Sequence, residues 1–174
     1  KIQSLKKERL KTGIFEFDRV LGGGFIPGEV VLLTGEPGVG KSTLLLQSLS
    51  KLNALYISGE ESAEQVKERA ERLNIKLDNF LFSENLQIEG IIEGLEEIKN
   101  KIEVLVIDSI LTVYSKQIDG SPGSISQLKE SAARLIIAAK KLKLAIIIVG
   151  HITKGGEIAG PKSLEHMVDC VLGF

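Results

Sequence analysis

The run Gly35-Glu36-Pro37-Gly38-Val39-Gly40-Lys41-Ser42 has the spacing G-x-x-x-x-G-K-[ST], in which each fixed position can act on a polyphosphate. The glycines let the main chain curl with its amides inward and take positive φ where needed. A following helix adds the positive end of its dipole. Lys41 would reach the β and γ phosphates, the Ser42 hydroxyl would ligate Mg²⁺, and Thr43 at the helix start would meet the α phosphate. The bland alternative is an ordinary tight strand-to-helix turn. Against it stand the match itself and its setting, with a buried strand leading in and a helix leading out. The expected ligand is a nucleoside triphosphate, Mg-ATP, cradled from Gly35 to Thr43.

Further positions could turn binding into hydrolysis. Val104-Leu105-Val106-Ile107 is an apolar run ending on Asp108, where a carboxylate can hold a water of Mg²⁺. A lone strand-end aspartate is otherwise a common helix cap. Glu60 and Glu61 follow Leu55-Tyr56-Ile57-Ser58. Either could orient or deprotonate the water attacking a γ phosphate, with Glu60 the preferred base; both also suit the first turn of a helix. His151 follows the run from Ala145 to Val149, where an imidazole could donate to the γ phosphate and signal hydrolysis to the loop beyond it. His166 has no such setting and reads as packing or surface. Arg69 and Arg72 could stack on a base, but read more simply as solvated helix arginines.

These positions need a scaffold that gathers the ends of separate strands. Apolar runs from Glu29 to Thr34, Leu55 to Ser58, Phe80 to Phe82, Val104 to Asp108, Ala145 to Val149 and Val168 to Leu172 read as strands. Helical patterns lie between them, from Ser42 to Leu52, Ser62 to Leu73, Ile88 to Lys99 and Ile125 to Leu142. Ser62 suits an N-cap, and Ile91, Ile92, Leu95 and Ile98 share one helix face. This alternation predicts an α/β fold with a mostly parallel central sheet and helices on both faces. Ligands in such sheets lie beyond the carboxyl ends of the strands, where the residues named above fall.

Composition bounds the alternatives. The 174 residues suit one domain, and the 43% hydrophobic share is enough for a packed core. A formal charge of −1 lacks the global positive field of a dedicated nucleic-acid binder, so any such contact must be a local patch or the product of assembly. Cys170 is the sole cysteine, which excludes an internal disulfide or an all-cysteine zinc site and suits the reducing cytoplasm. No run reaches the length of a membrane span and no signal peptide is visible. The basic stretch from Lys1 to Lys11 reads as a frayed terminus. A first residue other than Met, and an end just after an apolar stretch, suggest a piece of a longer protein.

Beyond the phosphate loop, the chain resembles the RecA-like ATPases, and within them the bacterial RadA (Sms) family of DNA repair proteins. The resemblance is carried by Lys11-Thr12-Gly13-Ile14, Phe17-Asp18-Arg19-Val20-Leu21-Gly22-Gly23-Gly24, Ser58-Gly59-Glu60-Glu61-Ser62, Val106-Ile107-Asp108-Ser109, Ser121-Pro122-Gly123-Ser124 and Val149-Gly150-His151-Ile152-Thr153-Lys154. Its most specific part is Ile158-Ala159-Gly160-Pro161-Lys162 with Leu164-Glu165-His166-Met167-Val168-Asp169. It implies a three-layer P-loop fold of RecA type and a homo-hexameric, ATP-driven motor on single-stranded DNA. It implies that Glu60 activates water and that His151 occupies the sensor position. Lys154 and Lys162 become candidate DNA contacts, with solvated loop lysines the alternative. The family's four-cysteine zinc module, its Lys-Asn-Arg-Phe-Gly motif and its Lon-protease-like domain have no counterpart here, so residues 1–174 read as a single isolated ATPase core. A KaiC-type regulatory ATPase and a nucleotide-gated assembly module with little turnover are the competing readings.

Overall fold

The computed structural model describes residues 8–151 and 161–174. Among these residues six strands form one sheet: β1 (Val30–Gly35), β2 (Ala54–Ser58), β3 (Phe80–Ser83), β4 (Val104–Asp108), β5 (Ala145–His151) and β6 (Cys170–Gly173). Their order across the sheet is β3-β2-β4-β5-β1-β6. The expectation was a mostly parallel sheet, and every pairing between these strands is parallel. Parallel strands buried on both faces account for the unbroken Val/Ile/Leu runs; all residues of β1, β2 and β4 are buried.

Alternate residues feed two cores. Val30, Leu32, Leu105, Ile107, Ile146 and Ile148 face α4 (Ile88–Ile98) and α5 (Ile125–Leu142), which contribute Ile91, Leu95, Leu128 and Leu135. Val31, Leu33, Val106, Ile147 and Val149 face the other way, toward Leu45 and Leu49 of α2 (Lys41–Leu49) and Phe17 of α1 (Phe15–Val20). Helix α3 (Ala63–Arg72) follows β2 and starts at Ser62, whose side chain accepts from the Gln65 amide while the Gln65 side chain accepts from the Ser62 amide. That capping box satisfies two orphan donors of the helix start.

Most elements lie within a few residues of their expected bounds, and some departures have a physical reason. α1 was not foreseen; six residues are too few for helical periodicity to register. β5 continues through His151 because Gly35 pairs with it across the sheet, so the imidazole sits on the strand rather than after it. β6 begins at Cys170 instead of Val168, where pairing with Val31 starts.

The Gly22-Gly23-Gly24 lead-in is a tight crossing, not a loose linker. All three have positive φ, and a Cβ on Gly24 would lie 2.4 Å from the Leu10 carbonyl oxygen, next to the antiparallel Leu10–Phe25 bridge. We expect Gly24→Ala to destabilise the domain by about 1–3 kcal/mol, read as a lower urea midpoint. An unchanged midpoint would show that the crossing tolerates a side chain.

Candidate functional site

The carboxyl ends of β1, β2, β4 and β5 open on one side of the sheet, and the positions singled out from the sequence converge there. A cleft of ≈ 470 Å³ is lined by Pro37, Gly38 and Gly40 to Thr43 of the loop together with Glu60, Asp108 and His151, a size within the range of about 300–1,000 Å³ usual for small-molecule sites.

The loop owes its shape to glycines where the chain must turn left-handed. Gly38 has φ 81° and Gly40 φ 110°, and Gly40 serves as the N-cap position of α2. Behind the loop lies Phe174: a Cβ on Gly35 would meet its carbonyl oxygen at 3.0 Å, and the Phe174 amide donates to the Thr34 carbonyl at 2.8 Å. Lys41, 4% exposed, donates from Nζ to the carbonyls of Gly35 at 2.9 Å and Glu36 at 2.8 Å. Burial lowers the pKa of its ammonium, while Asp108 and Glu60 work against that shift.

Asp108 closes the floor of the cleft. Its Oδ2 accepts from Ser42 Oγ at 2.8 Å and from the buried hydroxyl of Tyr56. The pairing of Ser58 with Asp108 in register puts the acids after β2 beside β4. A seryl oxygen and a carboxylate this close form a hard-oxygen donor set, which fits Mg²⁺. The ligand atoms of Glu60, Asp108 and His151 also lie within 4.8 Å of one another.

The two adjacent glutamates part company. The Ser58 hydroxyl accepts from the amides of Glu60 at 3.2 Å and Glu61 at 2.9 Å, fixing the turn that carries both. Glu61 pairs with Arg69 of α3; burial raises its carboxyl pKa and Arg69 opposes the rise. Glu60 instead turns to the centre, where its Oε1 accepts from Ser109 Oγ at 2.7 Å and meets His151 Nε2 at 2.9 Å. The opposite ring nitrogen of His151 is buried with no hydrogen-bond partner among the described residues.

Several expectations need amendment. Arg69 is not a solvated helix arginine: it is partly buried against Glu61, and it lines the cleft with Arg72. Lys162 is exposed on a short 3-10 helix, Pro161–Ser163, outside the residues lining the cleft. Lys154 and Ile158 to Gly160 lie outside the described residues. Tyr56 and Ser109 were missed. A tyrosine in an otherwise aliphatic strand, and a hydroxyl directly after Asp108, were the signals available.

The family model described as "ATPase: KaiC" matches residues 10–103, from the lead-in glycines through the phosphate loop to β4. The chain belongs to this ATPase family. Among curated relatives, this KaiC-family ATPase is 48% identical over 178 residues to the DNA repair protein RadA of Listeria monocytogenes, across 99% of this chain and 38% of the relative. It is 49% identical to that of Streptococcus pneumoniae, covering 99% and 42%, and 49% identical to that of Escherichia coli, covering 93% and 36%. The chain thus spans about two-fifths of the length of these relatives. A crystal structure of the RadB recombinase superposes with a TM-score of 0.66 at 24% identity, over 94% of this chain and 82% of that one, which supports the RecA-like fold. The RadA-type resemblance read from the sequence is borne out over almost the whole chain.

Proposed function

We propose that residues 1–174 form one Mg-ATP-binding ATPase domain of a RadA-like recombination and repair motor that acts on single-stranded DNA in the cytoplasm as a homo-hexamer. The observation that carries the nucleotide part is the convergence of Lys41, Ser42, Asp108 and Glu60 at one end of the sheet. Gly35 to Thr43 would wrap the phosphates, Lys41 would neutralise the β and γ groups, and Ser42 with Asp108 would hold Mg²⁺. When bound, Mg²⁺ would supply positive charge to the phosphate oxygens. Glu60 would take the proton of the attacking water, oriented by Ser109 and His151. His151 would in turn link Glu60 to the segment beginning at residue 152.

The DNA part rests on the names of the relatives and on the candidate contacts Lys154 and Lys162. Few lysines suffice where a ring gathers them at its axis, which reconciles DNA binding with a net charge of −1. The test is ATP turnover by the full-length protein with and without single-stranded DNA, together with DNA binding in a non-hydrolysable analogue. We expect stimulation and analogue-dependent binding. Turnover that ignores DNA, with no DNA binding, overturns the motor and leaves the ATPase.

One observation favours a second reading. Glu60 Oε1 is already engaged by Ser109 and His151, as suits a nucleotide-gated assembly module or a KaiC-type regulatory ATPase with slow turnover. DNA-independent, slow hydrolysis coupled to binding of a protein partner is its signature in the same assay.

A further inference from the structure

We infer that Tyr56 is a positioning residue for the metal-holding carboxylate, and that its hydroxyl sets the affinity of the site for Mg²⁺ specifically. The inference rests on the nucleotide-site reading above and extends it to a residue outside the motifs.

Asp108 is 3% exposed and Tyr56 fully buried. A carboxylate withdrawn from water must be held by donors, or its desolvation is uncompensated. Among the described residues the Asp108 side chain has two donors, Ser42 and Tyr56, and both address Oδ2. They differ in kind. Ser42 is the residue whose oxygen would also ligate Mg²⁺, so its hydroxyl serves two groups. Tyr56 has one proton to give, and gives it to Asp108. Its ring is stacked on Phe82 with centroids 6.4 Å apart and lies 5.6 Å from Phe80, which leaves the hydroxyl one direction. With Oδ2 tied from both sides, Oδ1 is the oxygen left to face the cleft. Mg²⁺ requires near-ideal octahedral geometry and usually keeps several waters. A carboxylate oxygen in a fixed place selects for it, whereas Ca²⁺, with flexible coordination, depends less on that placement.

The test is Tyr56→Phe in the full-length protein. Nucleotide affinity is followed with a fluorescent, non-hydrolysable ATP analogue at graded Mg²⁺ and, separately, graded Ca²⁺. We expect unchanged affinity without metal. The Mg²⁺ concentration giving half of the metal-induced gain should rise about ten- to a hundredfold, the loss of one hydrogen bond to a charged group, with a clearly smaller shift for Ca²⁺. Phe82→Leu is the packing control: it loosens the ring but keeps the hydroxyl, and should lower thermal stability without moving the Mg²⁺ midpoint. A wild-type protein that binds the analogue, gains from Mg²⁺, and shares its midpoint with Tyr56→Phe overturns this inference alone. Equal shifts for both metals, or the same Mg²⁺ shift in Phe82→Leu, overturn it in favour of general packing. A wild type with no affinity for the analogue overturns the nucleotide site itself.

Discussion

Glu60→Gln should bind ATP as the parent does and hydrolyse it about 10²–10⁴-fold more slowly, the usual weight of a positioned general base. The substitution is nearly isosteric. The amide oxygen can still accept from Ser109 and face His151, so the local geometry and the phosphate loop stay in place. What is lost is the ability to take a proton. Glu61→Gln is the matched control. Glu61 is committed to Arg69 on the flank of the cleft, so its loss should weaken that pairing and leave most of the turnover. Single-turnover hydrolysis, measured beside analogue binding, separates the two. If Glu61→Gln is the dead variant, the base has been assigned to the wrong neighbour.

Lys41→Ala should act one step earlier and abolish useful binding. Hydrogen bonds to charged groups contribute about 1.5–3 kcal/mol each, so losing two phosphate contacts predicts roughly a 10²–10⁴-fold weaker ATP affinity. Lys41→Arg should rescue little, because a planar guanidinium fork does not replace a compact ammonium in a buried site. Thermal melting without nucleotide guards against a folding defect, since Lys41 also donates to Gly35 and Glu36. Titration calorimetry giving Lys41→Ala an affinity within a few-fold of the parent would remove the loop from the phosphate site.

The two predictions draw on unequal kinds of legibility. Lys41 and Ser42 could be read because a phosphate loop is contiguous: ligand, backbone and helix dipole all belong to one short run. Asp108 could be read because a buried parallel strand leaves an unbroken apolar trace that a terminal charge interrupts. The choice between Glu60 and Glu61 had no local pattern to decide it, since Arg69, eight positions on, is what draws Glu61 aside. Contacts spanning much of the chain left no trace. His151 meets Glu60 across 91 positions, Ser109 meets it across 49, and Tyr56 reaches Asp108 across 52. Each depends on strand order, and hydrophobic periodicity does not encode which strand lies beside which. β5 separates the loop-bearing strand β1 from the Asp108-bearing strand β4, an arrangement invisible to any window of sequence.

The placement of β1 has a consequence in time as well as in space. Its two neighbours, β5 and β6, lie far downstream of it in the sequence, and the Val30 amide is held by the Asp169 carboxylate 139 positions away. Phe174 then backs the loop itself. Contacts of such separation carry a large loop-closure entropy and form late. The phosphate loop is written well upstream of β5 and β6 yet is framed only when both have docked. Nucleotide capture should therefore lag behind helix formation during refolding, making the ligand a reporter that the whole sheet has closed.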